Sequence, residues 1–286
     1  MVDKIHILVC SHKPDPNTKN EGIYKAIQVG KALHPELDMG YLNDNTGDNI
    51  SEKNPNWCEL TALYWGWKNL NNTEYKGLCH YRRYFGINIS ENNIDSLMKG
   101  YDMITIKNTI IHKAKDELHK KIIQMTSRED FYLYLDTLLT LYPQYKEIII
   151  NYFYNSRLSI PYTMFIAKNE VYNDFCKFIF PVFFELEKHM KSHGYSRQQR
   201  AMGYFGETSL GLYITVNNLK YRSVPLEMCG KIITPPNSIK FKVWTWLEKK
   251  LFDFISIVEG VPKDIELPDD MKVGFKQDHI EIHSLK

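Results

Sequence analysis

Gly77-Leu78-Cys79-His80-Tyr81-Arg82-Arg83-Tyr84-Phe85 is the stretch on which the reading of this chain turns. An apolar lead-in runs straight into a histidine and two adjacent arginines, with aromatic residues interleaved. The lead-in predicts a strand beginning near Tyr75, and the basic residues fall at its exit. Neighbouring guanidinium groups at a strand end can meet a diphosphate in a forked, charge-assisted geometry that a lysine ammonium cannot reproduce. Two readings stay open on these residues alone. One makes the stretch the floor of a nucleotide-diphosphate site; the other makes it a strand emerging into a salt-bridged, solvated loop.

Working outward, Ile5 to Cys10 reads as a short buried first strand. The polar loop Ser11–Asn17 follows it. Ligands of open α/β sheets gather where such strands end, so His12 and Lys13 are either neighbours of a nucleotide or a plain solvated pair. Tyr24, Ile27, Val29 and Leu33 sit at helical spacing and predict a helix over 24–33. Tyr41 to Ser51 is dense in Asn, Asp and Gly, residues that stabilise tight turns through their own backbone. That turn precedes an aromatic helix, Ala62 to Leu70, whose amino end favours anions.

Beyond the opening stretch, Ile94–Met98 predicts a short helix and Tyr101–Ile106 a strand. Helical character runs from Thr109 to Tyr154, with Ile122, Phe131, Leu135 and Leu138 on one apolar stripe. His112 and His119 belong there to a solvated face or to a lid over a ligand. Tyr162–Ala167 reads as an internal strand, and Val171–Met190 as a long amphipathic helix that Pro181 kinks or splits. Near Arg200, two glycines flank an aromatic pair in Gly203-Tyr204-Phe205-Gly206, and Glu207 follows at an expected helix start. A glutamate there complements the helix dipole or, at a pocket rim, serves as a general base.

Composition narrows the field. The 286 residues carry a formal net charge of +2, which gives no general electrostatic case for nucleic acid, so any attraction for anions is local. Five scattered cysteines without CxxC or zinc spacing point to a reducing cytoplasm, and the amino end lacks a signal-peptide core. No apolar run approaches the roughly 20 residues needed to span a bilayer. Neither GxxxxGK[ST], GxGxxG, GxSxG nor HExxH occurs, so kinase, dehydrogenase, hydrolase and zincin readings lose their anchors. Transfer of a group from a diphosphate-bearing donor fits what remains. The arginines would offset charge on the leaving diphosphate, and Glu207 would take the proton of an acceptor hydroxyl.

After Gly230 the character changes. Phe241, Trp244, Trp246 and Phe252 alternate with lysines, a pattern that suits either a membrane interface or a helix packed on the domain. The residues after Gly260 are polar and expected to be extended or mobile. The simplest organisation is a catalytic domain over 1–229 with a helical and polar appendage over 230–286.

Three long motifs in order, Asp44–Ser51, Cys58–Trp65 and His80–Phe85, resemble a bacterial glycosyltransferase family found in capsular, exopolysaccharide and O-antigen gene clusters, long carried as a domain of unknown function. The later markers are Met164-Phe165-Ile166, Arg200 and Gly203–Glu207, and the likeness spans about Ile5 to Tyr221. It implies an α/β, GT-A-like, Rossmann-type nucleotide-sugar transferase. Some members resemble galactofuranosyltransferases, which makes UDP-galactofuranose a candidate donor. A glycan or polyprenyl-diphosphate-linked acceptor at the inner face of the cell membrane is implied with it.

Such folds usually hold a divalent metal with Asp-x-Asp at a strand end, and His80-Tyr81-Arg82 stands in that place here. The resemblance therefore implies metal-independent transfer, with Mn or Mg at Asp44 and Asp48 as the alternative. It further implies that Asp44, Asp48 and Asn49 hold donor hydroxyls or base. His12, His80, Tyr81, Arg82 and Arg83 would line the donor diphosphate, Arg200 would orient Glu207 or touch phosphate, and Glu207 would serve the acceptor. A non-catalytic glycan- or nucleotide-binding protein of an assembly complex is the competing reading.

Overall fold

The structure is a computed structural model that describes residues 3–107, 117–190 and 198–286. His112 and Arg197 lie outside the described residues.

In chain order the elements begin with strands β1 (Ile5–Ser11), β2 (Tyr24–Gln28) and β3 (Leu42–Asn43). Helices α1 (Asn54–Trp57) and α2 (Leu60–Asn69) follow, then strands β4 (Tyr75–His80) and β5 (Arg83–Phe85), helix α3 (Ile94–Met98) and strand β6 (Met103–Ile106). Next come helices α4 (Leu118–Met125), α5 (Arg128–Leu141) and α6 (Lys146–Asn155), strand β7 (Phe165–Lys168), and helices α7 (Asn169–Glu187) and α8 (Ala201–Val216). Strands β8 (Tyr221–Val224), β9 (Leu226–Met228) and β10 (Lys231–Ile233) precede helices α9 (Ile239–Glu259) and α10 (Asp269–Gln277).

All these strands belong to one sheet. β3, β2, β1 and β4 run parallel side by side; β7 lies antiparallel to β4, β6 antiparallel to β7, and β8 parallel to β6. A second arm leaves β4 through β5, β9 and β10, all antiparallel. Side chains alternate across the pleat. Leu8 and Cys10 of β1 therefore enter the larger core under α2 and α5–α8, while Ile7 and Val9 enter the core on the α3 side. Burial on both faces is what the unbroken apolar run of β1 encodes. The architecture is GT-A-like α/β, as expected.

Several local expectations change. Residues 24–28 form a strand rather than the start of a helix, because they lie between Gly22 and Gly30, both at positive φ, and complete the parallel ladder beside β1. The interval is too short for a stable helix, and the pairing settles it. Pro181 does not split α7. The stretch after Gly260 is not an extended tail, since it builds α10 and buries Phe275. Its last residues are pinned by the Asp136 carboxylate, which accepts the backbone N–H groups of His283 (3.1 Å), Ser284 (2.6 Å) and Leu285 (3.0 Å).

Of the four aromatics proposed for a membrane interface, Phe252 is buried with the Arg157 guanidinium 4.4 Å from its ring centroid, and Phe241 is half-buried. Trp244 and Trp246 are exposed. Among the described residues no helix is long and apolar enough to cross a membrane.

Candidate functional site

At the carboxyl ends of β1 and β4 lies a cavity of about 670 Å³. Cys10 and His12 line it from β1 and its exit, and His80, Tyr81 and Arg83 from the end of β4 and the turn into β5. Cys58 and Glu59 approach from the α1–α2 junction, Tyr162 from the turn before β7, and Arg200, Tyr204 and Glu207 from the start of α8. Ligands of open α/β sheets bind at this edge.

The opening stretch is not a single strand. His80 pairs antiparallel with Arg83, so the chain reverses over Tyr81 and Arg82. That reversal sends the adjacent arginines apart. Arg82 points outward, donating to Asp15 Oδ2 through Nε (2.8 Å) and Nη2 (2.6 Å), and it does not line the cavity. Arg83 turns inward. Its guanidinium carbon sits 4.2 Å from the Tyr162 ring centroid, and its buried Nε has no hydrogen-bond partner. A buried cationic donor without an acceptor is costly, so an anion is the natural complement to this pocket wall.

His80 Nε2 lies 2.7 Å from the Tyr162 carbonyl oxygen. Burial, despite that bond, pushes its pKa down to about 4, with Arg83 and Arg200 adding to the shift. His80 is thus a neutral ring at physiological pH, a wall rather than a cation. His12 sets its ring edge-on to Tyr81 at 5.5 Å, and desolvation together with Lys13, Arg200 and Arg82 lowers its pKa.

Backbone strain concentrates around this cavity. Cys58 (φ 51°, ψ −127°), Tyr162 (φ 66°) and Thr163 (φ 50°) are all non-glycine residues at positive φ. Such conformations cost about 1–3 kcal/mol each and persist only where the surroundings impose them. Those impositions are visible. Trp57 Nε1 donates to Glu187 Oε1 (2.7 Å) and ties α1 to α7, while Arg200 Nε donates to Cys58 Sγ (3.1 Å). Thr163 Oγ1 donates to Glu59 Oε1 (3.0 Å). Gly203 explains one of the flanking glycines, because a Cβ there would stand 3.0 Å from Cys58 Sγ. Gly206 is the other, with a Cβ 2.9 Å from Leu60 Cδ2, so α8 lies close against the α1–α2 junction.

Two carboxylates therefore share one small region. Glu59 is buried, and desolvation raises its pKa. Glu207, in the second turn of α8 rather than at its start, is pushed up to about 7 by burial and then by the neighbouring Glu59 charge. Burial raises the Cys58 thiol to about 11, so it stays protonated beside Arg200. A carboxyl poised near neutrality in one cavity with an arginine can take a proton from one group while the cation stabilises negative charge on another.

The Asp44–Asn49 turn does something else. Asp44 is fully buried and accepts the backbone N–H groups of Gly30 (2.9 Å) and Lys31 (3.1 Å) and the Ser51 hydroxyl. Asp48 accepts from Tyr64 Oη (3.1 Å), with Lys68 Nζ 3.7 Å away. Asn49 closes a local turn by accepting from Ser51 N–H (3.2 Å). None of the three lines the cavity. Asp44 and Asp48 bind different partners, and a metal at Asp44 would have to displace two backbone donors, so this pair does not fit a divalent cation. Among the described residues no group of three or more His, Cys, Asp or Glu side chains could hold one.

Glu59, Tyr162 and Tyr204 went unassigned in the sequence. Glu59 sits within Cys58-Glu59-Leu60-Thr61 and offered no signal beyond a carboxylate at a helix start; Tyr162 is marked only by a left-handed backbone no pattern announces.

No curated protein matches the chain significantly. Among solved structures, the chain is similar to WbbM, a bifunctional glycosyltransferase in its apo structure, with a TM-score of 0.71 and 24% identity. The match covers 82% of this chain and 48% of that one, so the chain spans about half the length of the protein it matches. This likeness bears on the fold. Residues 6–218 match the family described as "Domain of unknown function (DUF4422)", and with most of its length and the whole cavity inside that match, the chain belongs to this family.

Proposed function

We propose that this protein is a glycosyltransferase that uses a nucleotide-diphosphate sugar. The observation that carries the reading is that Glu207 and Arg83, whose buried Nε has no hydrogen-bond partner, line one cavity at the carboxyl ends of β1 and β4. Glu207 takes the proton of an acceptor hydroxyl as that oxygen attacks the anomeric carbon. The bond from that carbon to the diphosphate breaks, and its electron pair leaves with the diphosphate. Arg83 and Arg200 offset the developing charge. His80 and His12 shape the wall beside the diphosphate, and Tyr81 packs His12 in place.

The motif resemblance supports UDP-galactofuranose, or UDP-galactose, as donor, and a lipid-linked or oligosaccharide acceptor on the cytoplasmic membrane face. Two arginines in the cavity, together with the poor fit of Asp44 and Asp48 to a cation, favour transfer without a metal. The test is product analysis with a panel of UDP-sugars and a polyprenyl-diphosphate-linked saccharide. Release of UDP coupled to sugar transfer, unaffected by EDTA, is expected. Release of UMP would make the protein a sugar-phosphate transferase, and tight UDP binding without turnover would make it a binding protein. Loss of turnover in EDTA that Mn²⁺ restores would end the metal-free assignment.

A further inference from the structure

Helix α9 buries a single side chain, Phe252, along its 21 residues. Phe241, Thr245, Glu248, Ile255 and Ser256, all half-buried, share that inward side. The opposite side is apolar. Val243, Trp246, Leu247, Phe254, Ile257 and Val258 recur at helical spacing, with Trp246 57%, Phe254 63% and Ile257 81% exposed. Lys250 stands between the two halves of this stripe, and an exposed apolar face of this kind marks an interaction site. Its exposed charge is basic in the first half: Lys240, Lys242, Lys249 and Lys250 are exposed there with Glu248 half-buried, and the exposed carboxylates, Asp253 and Glu259, fall after them.

We infer that the outward face of α9 docks on an anionic lipid surface, with the helix lying in the interface plane. A helix with Trp246 and Phe254 outward and lysines beside and between them can seat its rings at the headgroup boundary and extend its ammonium groups to the phosphates. A second copy of this chain is a poorer occupant, since a two-fold contact would bring the same four lysines together. This assignment stands independently of the chemistry proposed above, because it rests on other residues and is read without turnover.

The experiment is flotation of the full chain with vesicles of phosphatidylcholine alone or mixed with phosphatidylglycerol. Co-flotation with the anionic vesicles, weakened by salt and by omitting phosphatidylglycerol, is expected. Each Lys→Gln change among the four should weaken partitioning about fivefold. The double variant Phe254→Asp, Ile257→Asp should stay at the bottom of the gradient with an unchanged melting temperature, both positions being exposed. A wild-type protein that fails to float with anionic vesicles overturns the inference. So does equal binding to neutral vesicles, and so does a wild-type dimer that the double variant converts to monomer, which would assign the face to a second copy.

Discussion

The Nε2 atom of His80 lies 2.7 Å from the carbonyl oxygen of Tyr162. A carbonyl only accepts, so the ring proton resides on Nε2 and Nδ1 carries the lone pair. With its folded pKa pushed down to about 4 from an ordinary 6.5, His80 stays neutral while an unfolded chain would take up a proton. Stability contributed by the neutral ring is therefore present above about pH 6.5 and lost as pH falls toward 4. Thermal melts across that interval should show a drop that His80→Gln reduces, and the His80 NMR shifts should not titrate above about pH 5.

Glu207 behaves in the opposite sense. Its pKa is raised from 4.5 to about 7, so the folded chain binds more protons than the unfolded one between those values, and stability declines as pH rises through them. Glu207→Gln should raise the melting temperature at pH 8 and leave it unchanged at pH 4. The same change should lower turnover by about 10²–10⁴-fold.

If Glu207 is the base, turnover should rise with pH through about 7, where Glu207 ionises. Removing the neighbouring charge with Glu59→Gln should move that limb to lower pH. A pH–rate profile of the Glu59 variant with an unmoved limb would sever the two carboxylates.

The adjacent arginines should separate cleanly in kinetics. Arg83→Ala removes the inward guanidinium and should cost about 10²–10³-fold in kcat. Arg82→Ala removes a half-exposed guanidinium that pairs with Asp15 outside the cavity and should cost roughly fivefold or less. Steady-state rates for the two variants side by side decide the matter.

Cys58→Gly should relax a φ of 51° and ψ of −127° that glycine adopts freely, and should stabilise the fold by about 1 kcal/mol. It also deletes the sulfur that receives Arg200 Nε. Donor KM should then rise while the melting temperature holds or increases.

Asp44→Ala leaves two backbone N–H groups and the Ser51 hydroxyl without their acceptor. A loss of about 2–4 kcal/mol in chemical denaturation is expected. Normal stability with selective loss of donor binding would instead return Asp44 to a ligand role.

What the sequence disclosed follows from what local pattern can carry. The apolar run of β1 and the stripe of α7 each encode burial within a few residues, and these elements formed where expected; the strand expected over 162–167 begins only at Phe165, because Tyr162 and Thr163 take up a left-handed turn. β2 did not, because its pairing with β1 overrides a short helical spacing. Arg82 and Arg83 are equivalent in a linear reading, and only the reversal after His80 distinguishes them. Asp44 looked like a ligand because turn residues and ligand residues share the same chemistry. Its acceptor role rests on Gly30 and Lys31, more than ten positions away, which no spacing rule connects.

Tyr162 and Thr163 hold more than their own conformation. The Tyr162 carbonyl receives His80, its ring lies under Arg83, and the Thr163 hydroxyl reaches Glu59. Side chains from two distant parts of the chain thus converge on one two-residue kink. Opening that kink would release them together, so amide hydrogen exchange at 58–59, 80–83 and 162–163 should share a single opening free energy, and the cavity should order or dissolve as one cooperative unit.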